Sequence, residues 1–378
     1  MAVLANGRLV TPEGIIDGWL ETADQTITAI GPGQPTKPAD HNLAGRWVVP
    51  GFVDIHVHGG AGADFTAGDQ TAARQIIDLH RRHGTTTTLA SLVTADVDTL
   101  VAALGSLAEL VDNGLLAGIH LEGPFLAPAR RGAHDGGLLR APDSAVVDRL
   151  VAAGRDSLRM VTLAAELPNA MDAIRRFVNA GIVVAIGHTD ATYDQTRAAI
   201  DAGATVGTHL FNAMGSLHHR DPGPVPALLE DDRVTVELVC DGVHLHPAAV
   251  RLAVRTAGAH RVALVTDAMA AAGAGDGDYH LGGLVVRVTG GVARLADGAT
   301  IAGSTLTMDQ AFRFAIEAGI GIDDVVRMAS TTPARVLGKG DRVGSVAVGL
   351  DADLLALDEA FRVRAVMIKG AWLDEAKP

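Results

Sequence analysis

The spacing of hydrophobic positions changes character twice along this chain. In stretches 1–10, 15–20 and 26–30 apolar and polar residues alternate, and Gly, Pro and Asp separate the stretches. A period of two broken by turn formers predicts strands rather than helices. The same pattern returns at the other end, where 344–348, 353–357 and 363–368 are expected strands and Lys369-Gly370 a turn. Segments 1–50 and 340–378 are therefore expected to pair into one small β-sandwich domain.

Between them, across 51–339, short β-branched runs alternate with Ala/Leu/Arg-rich stretches of helical period such as 70–83, 96–112 and 167–180. The short runs fall at 52–57, 86–92, 116–121, 160–165, 182–186, 204–208, 234–239 and 262–266. Eight repeated βα units predict an α/β fold, a TIM (β/α)8 barrel. A doubly wound open sheet is the alternative, but it would carry a glycine-rich phosphate turn after an early strand, and no Gly-x-Gly-x-x-Gly stands there. Segment 279–301, with its Gly-Gly and Asp-Gly turns, reads as a β-ribbon inserted after the eighth strand.

Length agrees with this plan, since 378 residues accommodate a barrel of about 250 and an accessory domain. A formal net charge of -13 without a basic patch argues against nucleic acid or an anionic membrane as partner. The opening residues lack the basic start and apolar core of a signal peptide, and later apolar runs break before membrane-spanning length, so a cytoplasmic protein is expected. The single cysteine, Cys240, excludes an intrachain disulfide and a thiolate cluster. Any metal must then be held by His and carboxylates.

Such ligands stand at the C-terminal ends of the expected strands, where barrel enzymes place their chemistry. The first strand runs into Asp54-Ile55-His56-Val57-His58, whose period of two puts both imidazoles on one face. The third ends His120-Leu121-Glu122, the fifth Gly187-His188-Thr189, the sixth Thr208-His209-Leu210-Phe211-Asn212, and the eighth Val265-Thr266-Asp267. Together they suit a divalent first-row cation: zinc first, with iron, manganese or cobalt as alternatives.

This order resembles the amidohydrolase superfamily, which pairs His-x-His after strand one with histidines after strands five and six and an aspartate after strand eight. The four lysines, Lys37, Lys339, Lys369 and Lys377, lie outside the barrel strands, so Glu122 takes the place of the carboxylated lysine found in many relatives. The stretches His120 to Phe125, Thr208 to Met214, Asp241 to His244 and Ala302 to Leu306 are similar to the family of N-acetylglucosamine-6-phosphate deacetylases. That resemblance implies Glu122, His188 and His209 as ligands of the principal metal, His56 and His58 as holders of a second, and hence one or two ions per subunit. It implies Asp267 as catalytic acid and base, with His134 assisting the oxyanion. His134 and His244 are expected to contact the sugar or its acetamide, and Asn212 and Ala213 the phosphate. Ile301, Ala302 and Gly303 are expected to line the site through backbone. Arg220 is expected to reach the phosphate from a neighbouring subunit, which implies a homodimer whose partner molecule is a phosphorylated amino sugar.

Plainer readings stand beside these. His56 and His58 could be hydrogen-bonded core residues, Asp267 a loop cap, Arg220 a surface cation, and the glycines around Arg131 and His134 a surface turn rather than a lid. His120 is either a partner of the ligands or a buried structural histidine, and His41, His80, His83, His260 and His280 read as structural. Two functional rivals are another amidohydrolase reaction, on a cyclic amide or other acylated amine without a phosphate contact, and a non-catalytic barrel serving in assembly.

Overall fold

The barrel in the computed structural model, which describes residues 1–373, is built from eight parallel strands: β1 (Phe52–Asp54), β2 (Thr85–Val93), β3 (Gly118–Glu122), β4 (Leu158–Leu163), β5 (Val183–Ile186), β6 (Val206–Gly207), β7 (Thr235–Val239) and β8 (Val262–Val265). Each pairs with the next in sequence, and the ring closes just beyond the strand ends, where Val57 bridges Ala268 and the Asp267 N–H donates to His56 O at 2.8 Å. The side chain of Asp54 reinforces that seam, accepting from Thr266 Oγ1 at 2.6 Å and from the His56 N–H at 3.2 Å.

The helices follow from their caps and stripes. In α1 (Gln70–Arg82), Asp69 accepts from the Thr71 and Ala72 N–H groups, and Ala73, Ile76, Ile77 and His80 form the buried face. Asp96 caps α2 (Val97–Asp112) in the same way, and Leu100, Leu104, Leu107 and Leu110 pack inward at three- and four-residue spacing. The eight expected runs are the eight observed strands. Their ends shift by a few residues because the ladder stops where the chain turns outward at the rim.

Both chain ends enter one eight-stranded sheet, in which Trp47–Pro50 joins the N-terminal strands to Leu354–Leu357 and Val363–Ile368. The sheet curls over a core of Leu4, Leu9, Leu20, Ile27, Val48, Leu354 and Met367, and Thr26 meets Asp351 across the curl. The expected strand at 344–348 is absent. Gly344 sits at φ +95, its carbonyl takes the Thr331 hydroxyl at 2.6 Å, and Val346 is buried in the sheet's core. Its alternation records burial of one side chain and no ladder. Beyond β8, strands Gly277–Leu281, Leu284–Thr289 and Val292–Leu295 form a separate antiparallel ribbon. Among the described residues no helix is long and apolar enough to cross a membrane.

Candidate active site and metal centre

Four strand ends present the candidate ligands with the same offset. His56, His188, His209 and Asp267 each stand two residues past the last residue of β1, β5, β6 and β8, while Glu122 is the last residue of β3. Three of these positions depart from ordinary backbone geometry: His188, His209 and Asp267 have φ of +47, +26 and +49. Left-handed conformations cost a non-glycine residue of order 1 kcal/mol or more and persist where surroundings impose them, often at functional sites. Here they turn each side chain off its strand and into the barrel mouth.

The side chains converge on Glu122. Its Oε1 lies 3.2 Å from His188 Nε2 and 3.1 Å from His209 Nε2, and those two nitrogens are 3.1 Å apart. Its Oε2 lies 3.0 Å from His58 Nε2, which is 3.1 Å from His56 Nε2 and 3.3 Å from Asp267 Oδ1. Ligands bound tetrahedrally at about 2.0–2.1 Å stand roughly 3.3 Å from one another, so both groups have the spacing of a coordination shell, with Glu122 common to the two.

The outer nitrogens decide which atom each of three rings presents inward. His56 Nδ1 donates to Glu237 Oε2 at 2.9 Å, His58 Nδ1 to Ser91 O at 3.1 Å and His188 Nδ1 to Arg130 O at 2.8 Å. A proton fixed on Nδ1 leaves Nε2 as a lone pair. Lone pairs facing each other at 3.1 Å repel unless a proton or a cation lies between them, and the titration behaviour expresses that crowding. Burial opposes charging of His56, but Glu122 and Glu237 outweigh it and hold the group well above the imidazole range. His58 is likewise pushed up to about 9, burial being overcome by Asp267 and Glu122. Burial would raise the two carboxylates; instead the histidines hold Glu122 well below its usual range and bring Asp267 down to about 2. The residues therefore fit a divalent cation.

Around the ligands lies a cavity of about 340 Å³, within the size range of small-molecule sites. Of the expected substrate residues, His134, Asn212, Ala213, His244, Ile301 and Gly303 line it. Ala302 between the last two is fully buried, its N–H bonded to Ala293 O. His134 Nδ1 accepts from the Thr94 N–H at 3.3 Å, so its Nε2 carries the proton; burial depresses its pKa to about 4 and keeps the ring neutral. His244 gives its Nδ1 proton to Asp241 at 2.7 Å, which leaves Nε2 for the cavity. Arg220 is exposed, lies 2.7 Å from His219 and does not line its own chain's cavity. His120 bonds Ser91 Oγ and Thr162 Oγ1 rather than a ligand nitrogen or carboxylate, and burial keeps it neutral.

Sequence reasoning missed Glu237, Thr94 and Arg130. Glu237 left one trace, an acid inside the apolar strand Thr235–Val239, where an ionised group requires a partner. Arg130 acts on His188 through its carbonyl, which carries no side-chain signal. Its guanidinium is held 2.7 Å from Asp190 at the cavity edge.

Residues 47–373 match the amidohydrolase family. N-acetylgalactosamine-6-phosphate deacetylase of Escherichia coli O157:H7 is 41% identical, covering 97% of this chain and 98% of that protein. N-acetylglucosamine-6-phosphate deacetylase of Bacillus subtilis (strain 168) is 35% identical, covering 96% and 94%. Among solved structures, a mutant of N-acetyl-D-glucosamine-6-phosphate deacetylase from Mycobacterium smegmatis, in complex with N-acetyl-D-glucosamine-6-phosphate, superimposes with a TM-score of 0.96 at 49% identity and 98% coverage of both chains. The N-acetylglucosamine-6-phosphate deacetylase of Thermotoga maritima gives 0.90 at 31% identity, covering 98% of this chain and 99% of that one.

Proposed function

The chain belongs to the amidohydrolase family, and from that premise we propose that it hydrolyses the acetamide of N-acetylglucosamine 6-phosphate to glucosamine 6-phosphate and acetate, a step of amino-sugar catabolism. The observation that carries this reading is the convergence of His56, His58, Glu122, His188, His209 and Asp267 at the barrel mouth beside a sugar-sized cavity, in a fold shared with a relative whose structure holds that sugar phosphate.

Glu122, His188 and His209 would hold the principal ion, with His56 and His58 reserved for a second; zinc suits the nitrogen and carboxylate donors first. When bound, a divalent cation there supplies Lewis acidity and makes hydroxide available near neutral pH. Asp267, ionised at neutral pH, takes the proton as water attacks the acetamide carbon and returns it to nitrogen as the C–N bond breaks. His134 offers its Nε2–H to the carbonyl oxygen as negative charge develops there. His244, Asn212 and Ala213 hold the sugar and phosphate, while Ile301 to Gly303 border them through backbone. Arg220, exposed and outside its own cavity, suits a phosphate contact made across a homodimer in a cytoplasmic enzyme.

A second reading exchanges the sugar for its 4-epimer, favoured by the galactosamine-type relative. Acetate release from N-acetylglucosamine 6-phosphate, N-acetylgalactosamine 6-phosphate and unphosphorylated N-acetylglucosamine, measured on metal-analysed protein, separates the readings. A preference of at least tenfold for the first substrate is expected. Equal turnover of the unphosphorylated sugar would overturn the phosphate contact, and no release from any of them would overturn the deacetylase.

A further inference from the structure

Glu237 lies in the middle of β7 with no exposed surface, and among the described residues no Arg or Lys pairs with it. Burying an ionised carboxylate costs several kcal/mol unless a compensating charge or hydrogen bonds are near. Its Oε2 takes two such bonds, from His56 Nδ1 at 2.9 Å and from the His209 N–H at 3.1 Å, while its own carbonyl takes the Leu210 N–H at 2.8 Å. One residue thus touches both halves of the ligand set. It fixes the ring of His56 in the tautomer that leaves Nε2 bare, and it pins the backbone of His209 where φ is +26.

We infer that Glu237 is the positioning residue of the metal centre, setting the tautomer of His56 and the backbone of His209 so that their Nε2 atoms face Glu122. This rests on the metal site proposed above and extends it to a residue that touches no substrate. The acceptor oxygen behind His56 orients that ring and strengthens its Nε2 as a donor. Its backbone bonds at His209 reach the other ligand group, so its influence extends to both.

Glu237→Met tests the idea with little change in volume. The thioether cannot replace the oxygen that accepts from both His56 Nδ1 and the His209 N–H, so the imidazole proton is free to move to Nε2 and block it as a ligand. Zinc and cobalt(II) affinities are measured by competition with a chelator, on full-length protein stripped and reloaded with each metal. Zinc affinity should fall about 10- to 100-fold, the absorption spectrum of the cobalt-loaded protein should change, and the fold should persist by circular dichroism. Glu237→Asp, which keeps the acceptor but withdraws it, should fall between. Val236→Ala on the same strand weakens the core alone and should leave affinity within about twofold.

Wild-type affinity in both Glu237 variants, or an equal loss in Val236→Ala, overturns the positioning role. Wild-type protein that retains no ion overturns the metal reading itself, and with it this inference.

Discussion

Replacing Asp267 by asparagine removes one property from the site and keeps nearly everything else. The backbone of Asp267 is pinned on both sides, its N–H on His56 O at 2.8 Å and its carbonyl accepting from the Ser304 N–H at 2.7 Å. An isosteric side chain therefore stays in place, with its oxygen where Oδ1 now lies, 3.3 Å from His58 Nε2. What disappears is a carboxylate held at about 2 by its histidine neighbours against the opposing effect of burial. An amide cannot take the proton from water and hand it to the leaving amine. Such proton transfer is worth roughly 10²- to 10⁴-fold in rate, or about 3 to 5 kcal/mol of barrier at about 1.4 kcal/mol per tenfold. The assay is steady-state acetate release with metal content measured on the same sample. The expected result is a kcat lower by that factor, KM within roughly threefold, and metal retained by Glu122, His188 and His209. A variant with full metal content and a kcat within threefold of wild type would falsify the assignment of Asp267 as the proton carrier.

Arg220→Ala should raise KM for the phosphorylated sugar at least about tenfold, in line with loss of a charge-assisted contact, with metal content unchanged; an equal loss on the unphosphorylated sugar contradicts that role. Arg261 is buried and gives three hydrogen bonds to the carbonyls of Leu229, Asp231 and Val234. Arg261→Met should cost about 2–4 kcal/mol by stranding those acceptors, read as a lower denaturation midpoint in urea, and an unchanged midpoint refutes the estimate. Burial would raise the Asp309 pKa, yet hydrogen bonds from His83, Thr307 and Arg313 bring it down to about 2 from 3.8. A depressed acid stabilises the fold above its unfolded pKa and loses that contribution as pH falls through the folded value. Asp309→Asn should thus narrow its stability deficit by about 2 kcal/mol between pH 5 and pH 2; a deficit constant over that window shows that the ionised form is not what matters. Chelation should abolish turnover while leaving circular dichroism largely intact, and zinc should restore it. Activity that survives complete removal of metal would rule out the metal-dependent mechanism.

Much of this molecule was legible from spacing alone. Period-two runs alternating with helical stretches predict the eight strands, and strand ends carrying His56, Glu122, His188, His209 and Asp267 predict the rim on which they meet, because a barrel sends equivalent strand positions to one face. The same logic failed at 344–348, where the alternation came from Val346 entering a core rather than from pairing.

Tertiary structure alone decided three things. It set the direction of three imidazoles, since the Nδ1 protons of His56, His58 and His188 are fixed by Glu237, by Ser91 O and by Arg130 O, groups distant in sequence and two of them backbone. It set the left-handed turns at His188, His209 and Asp267, which surrounding bonds impose. It also placed Arg220 outside its own cavity. Sequence determines which groups can reach a rim, because that depends on local period. Which atom each group presents there depends on partners brought from elsewhere in the fold.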